Sequence, residues 1–232
     1  MSNLFHFLDN DSPFGKICTF LGTLIVANLL FVITLIPVIT AGAGLTALYF
    51  TMLRLIRYKE INPFSEFWEG FKDNFKQATI AWVCFLLVGV FLGLDTYWCS
   101  LMTGILRSCV YVVFAGIILV ALVAMYMFPV TAAFAGSLKD NLKNSIYFIG
   151  RKPLYAVIIA VLNIAPMLLT YLNMQYLPLA AFIWCICGFS IIAFCNSQML
   201  MRLFRKHLEP VEEELDIIDE KKLLEEMRKL EC

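Results

Sequence analysis

Residues 71–98 read FKDNFKQATIAWVCFLLVGVFLGLDTYW. Seven amphipathic residues, Phe71–Gln77, run into about twenty apolar ones, the length a helix needs to cross a hydrocarbon core about 30 Å thick. The phrase returns as LKDNLKN, Leu138–Asn144, and a second apolar run follows it. A chain that prefaces two long apolar runs with the same charged phrase is using that phrase to begin each re-entry into a membrane.

The composition agrees. Of 232 residues, 61% are hydrophobic and only 16% charged, with a mean hydropathy of +0.80. A soluble domain is roughly half apolar and a quarter charged. A chain of this size cannot hide such an excess in one core, so lipid is the expected solvent. Five runs are long enough to span: Ile17–Ile36, Ala78–Trp98, Ser108–Phe128, Pro153–Leu172 and Leu177–Met199. A sixth, Ile39–Leu53, is shorter, opens with AGAG (Ala41–Gly44, read as easing a bend) and runs into Arg54 and Arg57.

These runs predict an all-α polytopic bundle of about five spans. Two internal repeats, about 17–98 and 108–172, each read span, Pro-Val, amphipathic helix, span; a fifth span follows at 177–199. Direct repeats place their first spans in the same sense. That favours five spans with residues 1–16 outside; six spans, with Ile39–Leu53 crossing, is the alternative. Lys and Arg crowd the connections around Arg54–Lys76 and Lys139–Lys152 and follow the last span at Arg202. The positive-inside rule therefore places those connections and the C-terminus in the cytoplasm of a multi-pass plasma-membrane protein. No secretory signal peptide precedes the first span. Residues 209–232, with 10 acidic against 4 basic side chains, form an acidic cytoplasmic tail beyond the transmembrane domain of 17–208.

Within the phrases, Lys72, Asp73, Asn74 and Lys76 correspond to Lys139, Asp140, Asn141 and Lys143. Phe64, Phe67, Trp68, Phe71 and Phe75 fall on one helical face, as Phe134, Leu138 and Leu142 do in the second copy. Such helices lie at the interface, with the apolar face toward acyl chains and the lysines toward headgroups.

Polar groups inside spans are the remaining candidates, because ionisable and amide side chains there are costly. Asp95 lies near the outer end of its run, and Arg107 across a short loop could pair with it. Asn28, Asn163 and Asn196 are amides within spans, suited to interhelical hydrogen bonds. Gly89-x-x-x-Gly93 would admit a close neighbouring helix. Eight cysteines lie mostly in apolar runs and make no disulfide framework; Cys99 and Cys109 alone flank one loop. No H-E-x-x-H, nucleophile elbow, phosphate-binding loop or nucleic-acid module occurs. The chain is therefore read as no enzyme, with no catalytic residue, metal or cofactor and no nucleic-acid partner.

Four motifs carry a resemblance. PVITAGAGLTALY (Pro37–Tyr49), FWEGFKDNFKQATIAW (Phe67–Trp82), LGLDTYW (Leu92–Trp98) and FPVTAAFAGSLKDNLKNSIYF (Phe128–Phe148) are similar to the YesL family of bacterial membrane proteins. The resemblance spans about residues 10–208. Members occur mainly in Gram-positive bacteria, often encoded near sugar-uptake and polysaccharide-degradation genes. It implies a non-catalytic accessory or scaffold protein linked to carbohydrate uptake, with components of a sugar uptake system as partners besides the bilayer. It supplies no catalytic residues. A small-solute transporter or channel is the alternative.

Overall fold

The computed structural model describes residues 13–103, 107–134 and 136–204. The expected N-terminal segment up to residue 12 and the acidic tail lie outside the described residues. Among the described residues there is no strand, and the chain is the all-helical bundle its composition demands.

The first helix, α1 (Pro13–Leu35), ends before Pro37, whose ring cannot supply the next helical N–H. A 3-10 turn, Val38–Thr40, reverses the chain, with the Thr40 hydroxyl donating to the carbonyls of Thr34 at 2.7 Å and Pro37 at 2.9 Å. Helix α2 (Ala41–Tyr58) returns antiparallel to α1. Helix α3 (Pro63–Leu101) starts at Asn62, whose side chain accepts from the Phe64 and Ser65 N–H groups, with Pro63 at the first helical position. Helix α4 (Cys109–Ala133) contains Pro129, and α5 (Leu138–Arg151) is capped by Ser137. Helix α6 (Pro153–Leu172) opens on Pro153. The last helix, α7 (Met174–Phe204), starts with a 3-10 turn and is interrupted by a π-helical turn at Trp184–Gly188.

Six of these helices are long and apolar enough to cross a membrane, where the sequence pointed to about five. The additional one is α2 with its preceding turn. It is the least apolar of the six, with mean hydropathy 1.4 against 2.0–2.6, because it is the most buried and meets protein rather than lipid. Ala41, Gly42, Ala43 and Gly44 are all buried in its first turn. AGAG is thus a contact surface and not a bend. A Cβ on Gly42 would overlap Trp82 Cβ and lie 2.8 Å from the Ala78 carbonyl, and one on Gly44 would overlap Thr34 Oγ1. Further along, Gly70 of α3 lets Phe50 of α2 approach, and Arg54 bonds Glu66 at 3.0 Å and Glu69 at 2.9 Å.

Two apolar clusters follow. One joins α1, α2 and the start of α3 through Leu24, Ala27, Phe31, Leu48, Met52 and Phe67. The other joins α4, α5, α6 and the end of α7 through Tyr126, Phe148, Ile159, Leu200 and Phe204. Both lie toward one end of the bundle. Among the described residues, none of α3 after Ala81, of α4 before Val123, of α6 after Ile159 or of α7 before Ser190 is buried. Those outer segments turn Leu87, Phe91, Val112, Leu119, Val161 and Leu169 outward, a surface stable against acyl chains and costly in water.

The two copies of the phrase differ in setting. The first is continuous with its span inside α3, 39 residues and about 58 Å long at 1.5 Å per residue. The second has its own 14-residue helix, α5, separated from α6 at Lys152-Pro153. The Pro-Val pairs also differ: Pro37 follows a helix, whereas Pro129 sits inside one.

Candidate functional site

The two phrases meet. Asp73, Asn74 and Gln77 of α3 line one side of a groove of about 720 Å³; Gly136, Ser137 and Asp140, at the entry to α5, line the other. Phe50 and Phe134 supply apolar wall, and Thr131 lies within α4 at the same groove. Gln77 ties the sides together, donating from Nε2 to the Gly136 carbonyl at 3.0 Å. Asn74 donates to the Gly70 carbonyl one turn back, also at 3.0 Å.

The α5 side is built by an N-cap. The Ser137 hydroxyl donates to Asp140 Oδ2 and accepts the Asp140 N–H. That hydroxyl bond outweighs the opposing desolvation and, with smaller help from a backbone bond and Lys143, holds the Asp140 carboxyl below the usual carboxylate range. Next to it, Asn141 is fully buried, and neither its Oδ1 nor its Nδ2 has a hydrogen-bond partner. A Cβ on Gly136 would lie 3.1 Å from Asn141 Oδ1, so this groove-lining glycine sits directly against the unpaired amide. Buried amides are nearly always paired, which makes Asn141 the polar group here with the most to gain from a ligand or water. Lys72, Lys76, Lys139 and Lys143 are all exposed, and none of them lines the groove. The arrangement can bind a polar ligand through carboxylate, amide and hydroxyl groups; among the described residues it holds no metal-ligand cluster.

The other sequence candidates lie elsewhere. Asn28 is fully buried and spans from α1 to the π-helical turn of α7. Its Nδ2 donates to the carbonyls of Trp184 at 3.0 Å and Cys185 at 2.7 Å, and its Oδ1 accepts from Ser190 N at 2.9 Å. A π turn displaces carbonyls from regular pairing, and one asparagine satisfies them. Asn196, also buried, donates to the Tyr49 hydroxyl at 3.1 Å, while its Oδ1 and the neighbouring Ser197 Oγ are unpaired. Asn163 bonds only its own helix, at the Ile159 carbonyl 2.7 Å away. Asp95 is half-buried and Arg107 exposed, and the expected ion pair between them is absent among the described residues. Cys99 and Cys109 are free thiols. Gly89 and Gly93 have open space where a Cβ would point, so no internal helix uses the motif.

Sequence reasoning missed Ser137 and Gln77 as groove residues and Tyr49 as the partner of Asn196. The Ser-x-x-Asp spacing signalled the cap; nothing in the sequence signalled that Gln77 would reach Gly136.

Residues 24–96 match a family model described as a protein of unknown function, DUF624. The match runs from α1 into α3 and includes the AGAG contact and the first copy of the phrase. No curated protein and no solved structure matches the chain.

Proposed function

We propose that this chain is a non-catalytic accessory or scaffold protein of the bacterial plasma membrane, serving carbohydrate uptake through a partner held at the groove between the two Asp-Asn phrases. The carbohydrate link comes from the YesL resemblance, with which the family match is consistent. The observation carrying the reading is the convergence of both phrases on one polar groove, with the Asn141 amide unpaired beside it. A repeated motif that only anchored helices would have no need to face its own copy.

In this reading the groove, the basic connections and the C-terminus face the cytoplasm. A photo-crosslinking residue at position 77 or 140, introduced in the native host, tests it. The expected product is a defined adduct with a membrane component of a sugar uptake system, lost when Asp73 and Asp140 are both replaced by Asn. Absence of any adduct at both positions, with the protein correctly inserted, overturns it.

One observation favours a transporter instead: Asn196 Oδ1 and Ser197 Oγ are buried and unpaired in the bundle. Saturable uptake of a labelled sugar into liposomes holding only this chain, abolished by Asn196→Leu, would decide for that alternative.

A further inference from the structure

A second cleft, of about 470 Å³, opens between the ends of α1, α2 and α7. Its lining has two layers. Lys16, Lys59 and Gln198 form one; Phe20, Leu55 and Phe194 form the other. On α1 and α7 the polar residue is four positions, one helical turn, from its apolar counterpart, and Lys59 caps the end of α2 beyond Leu55. Because α1 runs opposite to α7, with the Phe20 and Phe194 rings 5.0 Å apart, all three polar residues fall on the side of the bundle end and all three apolar ones deeper. Thr19 and Ile56 complete the two layers, and Glu60 lines the mouth, leaving two cations against one carboxylate.

Lys59 carries a second signal. It is the one non-glycine residue with positive φ among the described residues, at φ 64° and ψ −39°. A side chain at that φ is strained, and such strain persists where the surrounding structure over-determines it, often at binding sites. Neither Lys16 nor Lys59 forms a salt bridge among the described residues.

We infer that this cleft binds the headgroup of an anionic phospholipid, with Lys16, Lys59 and Gln198 on the phosphodiester and Phe20, Leu55 and Phe194 against the first methylenes of an acyl chain. Basic pockets between helices at the cytoplasmic face suit such headgroups. The net charge of the lining, one positive, matches one phosphodiester. The apolar layer one turn deeper is what a soluble phosphate has no use for. This site is separate from the groove and does not depend on the function proposed there.

The test compares thermal stability of the full chain in nanodiscs of phosphatidylglycerol and of phosphatidylcholine. Wild type should unfold several degrees higher in phosphatidylglycerol, and Lys16→Gln/Lys59→Gln should lose most of that difference. Lys59→Gly should be more stable than wild type in phosphatidylcholine, because the strain is relieved, yet gain less from phosphatidylglycerol. Lys59→Arg should keep the gain. Native mass spectrometry should find one phosphatidylglycerol retained by wild type and lost from the double variant. Soluble glycerol phosphate giving the same shift in detergent would overturn the lipid as source. An equal gain from phosphatidylglycerol in wild type and double variant would overturn the site.

Discussion

Glycines at residue scale separate contact from decoration. Gly42 has backbone and side-chain atoms of α3 inside the space a Cβ needs, whereas Gly89 and Gly93 have none within 4 Å. Gly42→Ala should therefore lower stability by about 1–3 kcal/mol, the usual cost of overpacking a close contact. Gly89→Ala, gaining helix propensity in an open position, should be neutral or raise it by up to about 1 kcal/mol. Thermal unfolding of both variants in one detergent checks the pair, and equal effects would mean that α2 and α3 do not meet as described. Asn28 makes the same argument for a polar group. Asn28→Leu leaves the carbonyls of Trp184 and Cys185 and the N–H of Ser190 without their partner, and should cost about 1–2 kcal/mol. It should also raise amide exchange in the π-helical turn, a readout that simple loss of packing elsewhere would not produce.

Elements are stabilised by their ends as well as by their faces, and α5 shows this most directly. Its first turn depends on Ser137 and an ionised Asp140. Ser137→Ala should loosen α5 by about 1 kcal/mol. Because the folded Asp140 pKa lies below its ordinary value of 3.8, the carboxylate's contribution is fully present above that value and is lost as pH falls through the depressed one. Hydrogen exchange in α5 followed through acid should show protection falling there earlier in Ser137→Ala than in wild type. Much of this scale was readable in advance. The spans and the paired phrases follow from length and period. Helix α2 was legible only as an alternative, since Gly42, Gly44, Thr46 and Thr51 lower its hydropathy while serving a buried contact surface. The groove was not legible at all, because periodicity says which face a residue occupies and not which helix faces it. The Asp95–Arg107 pair failed for a related reason: proximity across a short loop sets depth, not direction.

Whole-molecule topology turns on which ends of the helices gather. Lys16, Lys59 and Gln198 line one cleft, so α1 begins where α2 and α7 end. Arg54 bonded to Glu66 and Glu69 brings the start of α3 to the same end, and Phe148 against Phe204, with ring centroids 5.0 Å apart, brings α5 there too. Lys16, Arg57, Lys59 and Arg202 gather at that end, while Gly70 against Phe50 and Gly42 against Ala78 set Lys72 and Lys76 alongside α2, between its two ends. An arrangement with the N-terminal end of α1 in the cytoplasm keeps Lys16 there with Lys59, as the positive-inside rule prefers, whereas five spans with an external N-terminus export Lys16. Single cysteines at Lys16, Lys59 and Met102, in a background without native cysteines, distinguish the two. A membrane-impermeant maleimide added to intact cells should label position 102 and spare 16 and 59 until the cells are lysed. Labelling of position 16 from outside, with 59 still protected, would require α1 to run the other way through the membrane. The antiparallel pairing of α1 with both α2 and α7 would then be wrong, and with it the cleft those three helices form.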